Sequence, residues 1–368
     1  MNAPARVLVI GGYGNFGSYV ARALATDASI RLLIGGRSQT KADAFVATLA
    51  PAVPAEAHAL DIDGDIAARL AAIRPDLVIH TTGPFQHQSY VVAEAAIACG
   101  AHYLDLADAR AFVAGIGALD TDAQAAGVAV IAGASSVPCL SSAIVDHYLP
   151  DFTQIKAIRY GITAAQQTNR GLATTTAILS YVGKPFAAWR KGKPWPVHGW
   201  QGTHAVRYPD LGRRLFGDCD IPDLELFPQR YPGVEQVRFS AGHEIALLHL
   251  GTWGLSWLVR LGLIRHLDRH AEALLKLAFC FDRLGHARSG MHMRLDGTGH
   301  DGAPLTRRFF LVARSGHGPY IPCMPAILLA KRLAAGEAIA PGARPCLDLI
   351  DLDTYLGALE GLDIEVWR

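Results

Sequence analysis

Gly12, Gly14 and Gly17 stand in Gly-x-Gly-x-x-Gly spacing, directly after an apolar run at 7–10 and directly before a helical pattern opened by Ser18, Tyr19 and Val20. Between a strand and a helix, such glycines have separate tasks. They allow a tight turn, an approach of bare backbone to a pyrophosphate, and close contact of helix with strand. Free N–H groups and the dipole at the helix start favour an anion at the same place. The loop, with Tyr13, Asn15 and Phe16 between its glycines, therefore reads as the seat of a dinucleotide rather than an ordinary turn.

Which dinucleotide is decided at the end of the second strand. Residues 30–34 form that strand and run into Gly35-Gly36-Arg37-Ser38. An NAD-selective site places a carboxylate here on the ribose 2′-hydroxyl, and none is present. A carboxylate would repel a 2′-phosphate by about 4 kcal/mol per charge pair at 4 Å and an effective dielectric of about 20. Arg37 instead offers a guanidinium fork suited to phosphate, with Ser38 and Lys41 close behind. The pattern predicts NADP(H) rather than NAD(H).

These residues need a scaffold, and the composition supplies one. The chain has 368 residues, 51% hydrophobic and 18% charged, which suits two folded domains. Net charge is +1 with no basic run to follow a nucleic-acid backbone, so nucleic acid is not an expected partner. The first strand begins near residue 6, which leaves no room for a signal peptide. Cysteines 99, 139, 219, 280, 323 and 346 lie far apart, without a Cys-x-x-Cys pair. That reads as reduced thiols in a cytoplasmic protein, not a disulfide frame or a zinc site. His266 and His270 have i, i+4 spacing but no intervening Glu, so they read as a solvated helix face and no metal is expected. The apolar segment 245–264 holds Trp253 and Trp257 but is interrupted by His249 and Arg260. It reads as a core helix or a buried subunit contact in a homodimer rather than a membrane span, with peripheral membrane attachment left open.

Strand and helix patterns alternate onward from the first unit. Helices are expected at about 40–49, 66–73, 89–99 and 117–126, and strands ending near 60–61 and at 77–81, 102–106 and 128–132. This rhythm predicts an α/β Rossmann domain, a doubly wound parallel sheet of order 3-2-1-4-5-6. It breaks after about residue 135 into an α+β domain with strands at 154–162, 290–295 and 307–313. Loops rich in Pro, Gly and Trp are expected at 184–235, and a hairpin turn at 296–302.

Ligands of open sheets bind outside the carboxyl ends of the strands. That rule selects Asp61 near the adenine, and Thr81, Thr82, Gly83, Pro84 and Phe85 near the nicotinamide. Asp105 and Asp108 follow strand five; Ser135, Ser136, Pro138 and Cys139 follow strand six. In the second domain, Asn169 and Arg170, followed by Thr174, would offer donors to a substrate carboxylate. His243 is a further candidate proton donor.

The stretches GGYGNFG, GGRS, GPFQHQSYVVAEAAIACGAHYLDLAD, AGASSVPCLSSAIVD and GPYIPCMPAILLAKRL together resemble the saccharopine dehydrogenase-like oxidoreductases. The matching branch is the NADP-binding one that also contains saccharopine reductases and carboxynorspermidine synthases. Two positions depart from the family pattern: Ala109 replaces an acidic residue and Cys139 a glycine. The resemblance implies an NADP-binding domain over 1–135 and a second domain over 136–315 with a mixed sheet above the nicotinamide. It further implies a segment, 316–368, that packs back on the first domain. The expected activity is hydride transfer to or from a C=N, or a C=C or C=O, of a small acidic substrate. The proton would come from Cys139, His243, Tyr320 or an ordered water. Two readings from other classes are a non-catalytic NADP-binding redox sensor or scaffold, and a membrane-linked enoyl reductase acting on a lipid through 245–264.

Overall fold

Short apolar runs and amphipathic ones become strand and helix in turn. The computed structural model describes residues 3–168 and 171–368, so the expected anion-binding pair Asn169 and Arg170 lies outside the described residues. The chain begins β1 (Ala5–Ile10), α1 (Asn15–Ala25), β2 (Ile30–Gly36), α2 (Gln39–Val46), β3 (Glu56–Ala59), α3 (Ile66–Ile73) and β4 (Leu77–His80). It continues with α4 (Val91–Ala98), β5 (His102–Asp105), α5 (Arg110–Gly115), α6 (Asp120–Ala125), β6 (Ala129–Ala132) and α7 (Ser141–Tyr148). Then come β7 (Phe152–Ala164), α8 (Leu172–Tyr181), β8 (Pro185–Arg190), β9 (Lys193–His198), β10 (His204–Tyr208), β11 (Gly212–Asp218), α9 (Asp223–Arg230) and β12 (Gln236–His243). The remainder is α10 (Ala246–Arg260), α11 (Ala271–Phe279), β13 (Ser289–Gly299), β14 (Pro304–Ala313), α12 (Tyr320–Ala334), β15 (Gly342–Pro345), α13 (Leu352–Gly357) and β16 (Ile364–Trp367).

Two compact units result. The first comprises Met1–Ser141 and Tyr320–Ala358; the second, Ser142–Pro319 and Leu359–Arg368. The sheet of the first unit has the order β3-β2-β1-β4-β5-β6-β15. Every pairing in it is parallel, so the six early strands stand in the expected 3-2-1-4-5-6 order with one late strand added beside β6. Val7, Leu8, Val9, Leu33, Ile34, Val78 and Ile79 are wholly buried in it, as strands covered on both faces must be.

The second unit's sheet runs β10-β11-β12-β7-β13-β14-β16, with β8 and β9 attached beyond β12. Only β7 and β12 pair in parallel; the other pairings are antiparallel, so this sheet is mixed. β13 and β14 form the expected hairpin, with strands that run longer than their apolar cores.

Three expectations are corrected. The region 184–235 is not loop: it holds β8, β9, β10, β11 and α9. The β8–β9 turn is Lys191-Gly192, with φ of 54° and 69°. Two consecutive positive φ values match a two-residue primed turn, whose twist suits a hairpin; the prolines of β9 hid the strand signal. His266 and His270 do not share a helix face, because His266 precedes a short 3₁₀ turn, Leu267–His270, that supplies only one residue of the pair. Finally, α10 is not a core helix. Its buried residues are His249 and Ser256, while Leu247 is 63% and Leu250 47% exposed, with Trp253, Trp257 and Leu258 also outward. Among the described residues no helix is long and apolar enough to cross a membrane.

Backbone crowding fixes how α1 leaves β1. A Cβ on Gly17 would stand 2.1 Å from the Gly11 carbonyl oxygen and 2.7 Å from Thr81 Oγ1. Thus only a bare backbone lets the helix cross this closely over the strand ends. Gly17→Ala is expected to lower the unfolding free energy by about 1–3 kcal/mol through overpacking, measured by urea denaturation; an unchanged midpoint would show that the helix has room.

Candidate functional site

The carboxyl edge of the first sheet is built around the β1–α1 turn. Gly11, not Gly12, carries the left-handed backbone, with φ of +80°. Its carbonyl accepts the Gly14 N–H at 2.7 Å, and its N–H donates to the Gly35 carbonyl at 2.8 Å. Gly12 is needed for a different reason: a Cβ there would press on the Val9 carbonyl and the Ile34 side chain. Helix α1 begins at Asn15, three residues before the expected Ser18, and its N-cap is the exposed Gly14. A glycine cap offers no side chain to the first N–H groups, which an α-helix leaves without intrahelical acceptors. Asn15 Oδ1 is buried there without a hydrogen-bond partner. Open N–H donors at a helix N-terminus fit a pyrophosphate.

At the end of β2 the Tyr13 hydroxyl accepts the Ser38 N–H at 3.1 Å, and the Tyr13 ring lies so near Gly36 that a Cβ there would be 2.5 Å from it. Ser38 Oγ caps α2 by accepting the Lys41 N–H. Arg37 and Lys41 are exposed, and among the described residues Arg37 makes no ion pair. A free guanidinium beside a polar turn is therefore available to a phosphate at this corner. Asp61 is exposed and serves its own turn, accepting the Asp63 N–H on Oδ1 and the Gly64 N–H on its carbonyl.

The segment after β4 is tied down throughout. Thr81 donates both its N–H and its hydroxyl to the Ile10 carbonyl, at 3.0 and 2.8 Å. Gln88 Nε2 donates to the Thr82 and Pro84 carbonyls, at 2.7 and 3.1 Å, around the cis Gly83–Pro84 bond. Phe85 is buried against His80 and Phe112, at ring separations of 5.0 and 5.3 Å.

Below this segment lies a polar core of which sequence reasoning singled out Asp105 and missed His80 and Tyr103. His80 is buried, with Nδ1 bonded to the Tyr103 hydroxyl at 3.1 Å and Nε2 to Thr82 Oγ1 at 2.6 Å. Burial pushes its imidazole down to about 3, so it stays neutral, one ring nitrogen donating and the other accepting. Asp105 pairs with His80 across β4 and β5 and is wholly buried. Its Oδ1 accepts the Ala107 and Gly133 N–H groups at 2.9 and 2.7 Å, which joins the segment after β5 to that after β6. Burial raises its carboxyl to about 7 against those two hydrogen bonds. The signal was legible: a histidine ends the otherwise apolar run 77–80.

Ser136 and Cys139 lie in a buried turn, Ser136–Leu140, with Cys346 against Cys139. Tyr320 opens α12, partly exposed, its ring 4.7 Å from that of Tyr19. The same helix reaches the first turn of α1, where Cys323 Sγ donates to the Phe16 carbonyl. Cys139 and Tyr320 thus belong to the first unit, whereas His243 belongs to the second. There its ring stacks on Trp200 at 4.7 Å and its Nε2 meets Thr252 Oγ1 at 3.1 Å. Thr174, also in the second unit, is half-buried in the first turn of α8.

Residues 7–131 match the family model described as Saccharopine dehydrogenase NADP binding domain. No curated protein sequence matches the chain. Among solved structures, the apo saccharopine dehydrogenase (L-Glu forming) of Saccharomyces cerevisiae is similar over 99% of this chain and 100% of its own, with 15% identity and a TM-score of 0.66. The homospermidine synthase of Legionella pneumophila, solved with NAD, is similar over 99% of this chain and 91% of its own, with 10% identity and a TM-score of 0.58. At these identities the likeness establishes the fold.

Asp105 generates a pH prediction. Its folded pKa, about 7, lies above the unfolded value of about 3.9. The folded state therefore holds the proton more tightly, and stability present below pH 4 is lost as pH rises to 7. The unfolding free energy of the wild type, relative to Asp105→Asn, should fall by at most about 4 kcal/mol across that window. Denaturant titrations at stepped pH check this, and parallel curves for the two proteins would refute it.

Proposed function

We propose that this chain, whose residues 7–131 match the Saccharopine dehydrogenase NADP binding domain, is a nicotinamide-dependent oxidoreductase that uses NADP(H) to reduce a C=N bond of a small acidic substrate. The observation that carries the cofactor choice is Arg37, exposed and without an ion pair among the described residues at the end of β2, where no carboxylate stands. Its planar fork suits a 2′-phosphate, with Ser38 and Lys41 beside it. Gly12, Gly14 and the first turn of α1, Asn15 to Gly17, would take the pyrophosphate. When bound, the cofactor supplies the hydride chemistry.

The chain's own residues orient, exclude water and supply a proton. The tied segment Thr81 to Phe85 forms a rigid wall, because Gln88, Thr82 and the buried His80 hold its backbone. Asp105 and Ser136 act beneath and beside it. We assign proton donation to Tyr320: it is partly exposed, and its helix abuts the first turn of α1. Cys139 is enclosed, and the His243 ring is held by Trp200 and Thr252. Thr174, in the first turn of α8, lies four residues after Arg170, one of the donors expected to hold the substrate's acidic group.

Binding and turnover test the two halves separately. Arg37→Asp should weaken NADPH binding by about tenfold or more while changing NADH binding little, as charge reversal at a phosphate fork predicts; equal loss for both would remove Arg37 from this role. With a panel of imino, keto and enoyl acids, NADPH oxidation should be fastest on the imino acids. Tyr320→Phe should then lower kcat by about a hundredfold or more at unchanged NADPH affinity. An unaffected kcat would move the proton to another group.

A further inference from the structure

The second unit carries a row of arginines that the proposed oxidoreductase chemistry does not use. Arg238 on β12, Arg159 on β7, Arg294 on β13 and Arg308 on β14 are register partners across four adjacent strands. Register partners point to the same face, so four guanidinium groups form one row about 14 Å long at the usual strand spacing. Beside it, on the same face, lies the row Ser240, Gly161, His292 and Phe310. β10 covers this end of the face: the Tyr208 hydroxyl bonds His292 Nδ1 at 2.9 Å, and the Tyr208 ring lies 5.4 Å from that of Phe310. Between β10 and the sheet is a concavity of about 400 Å³, lined by the four arginines, by Arg207, and by His204, His292 and Ser240. Its floor is kept bare, since a Cβ on Gly161 would meet the Ser240 carbonyl at 2.5 Å.

Charge in this concavity is one-sided. No carboxylate is among its lining residues. Asp296, flanking the row, is shared by Arg159 and Arg294, and Asp218 by Arg238 and Arg190. Arg207 and Arg308 are exposed and make neither hydrogen bond nor ion pair among the described residues. Adjacent like charges directly opposite one another destabilise a sheet unless something neutralises them. The two histidines add no positive charge near neutral pH, because burial holds His204 down to about 4 and His292 to about 3. Phe310 and Val206 supply an apolar wall. The volume lies in the range of small-molecule sites.

We propose that this concavity binds a small molecule bearing at least two phosphate or carboxylate groups, bridged across Arg308, Arg207 and the rest of the row. Guanidinium forks take either anion in a bidentate manner, so the probes are inorganic pyrophosphate and citrate.

Calorimetry on the full-length protein at low ionic strength tests this, with wild type, Arg207→Glu/Arg308→Glu, Arg207→Gln/Arg308→Gln and Arg37→Ala compared. At least one probe should bind the wild type. Its affinity should fall by about tenfold or more in the Glu pair, and by less in the Gln pair, because only the former adds repulsion. Binding should persist in Arg37→Ala, which separates this site from the dinucleotide loop. Preference for pyrophosphate would identify a phosphorylated ligand, and preference for citrate a polycarboxylate. Both altered side chains are exposed, and circular dichroism confirms folding. Absence of heat with both probes, unchanged binding in both pairs, or loss only in Arg37→Ala would overturn the proposal.

Discussion

The contact between the Gly11 carbonyl and the bare Cα of Gly17 is the constraint on which the first unit depends. It lets α1 start within five residues of the end of β1 and cross tightly over the sheet's carboxyl edge. The helix N-terminus, with its unsatisfied N–H groups, is thereby aimed at the same edge that receives the segments after β4, β5 and β6. Larger side chains at Gly11 would strike the threonines after β4, and at Gly12 or Gly17 they would strike backbone. The glycine pattern is thus a packing requirement before it is a binding device.

Under that edge the protein buries His80, Tyr103 and Asp105, a costly choice unless their hydrogen bonds are made. One bond, His80 to Tyr103, stays within the sheet, and three end on loops: His80 on Thr82, and Asp105 on Ala107 and Gly133. The polar core therefore exchanges some stability for fixed positions of three loops. Low exposure keeps His80 neutral and raises the Asp105 carboxyl, so the loops are held by neutral or weakly acidic groups around neutral pH.

The second unit solves a different problem. Its sheet is mixed, with one face carrying Tyr160, Phe239 and Met293 in the core and the other carrying the arginine row. Alternation along each strand separates the two faces by a single residue step, as between Arg159 and Tyr160. In α10 the usual distribution is reversed, since His249 and Ser256 are enclosed while leucines and tryptophans face outward. This helix therefore contributes little apolar surface to the core of the second unit.

Local patterning was enough to read the first sheet: runs such as 7–10, 30–34 and 77–80 are too apolar for anything but covered strands, and their alternation with helices dictates parallel order. The glycine spacing and the missing carboxylate at 37 were equally plain, because turn geometry and charge are properties of a few adjacent residues. What adjacent residues do not carry is pairing. Only the fold shows that four arginines separated by up to 149 positions share one row, that His80 and Asp105 lie side by side, and that β8 and β9 are strands despite their prolines. Register and burial are set by which segments meet. That meeting is decided by the whole chain's packing, not by any stretch of it alone.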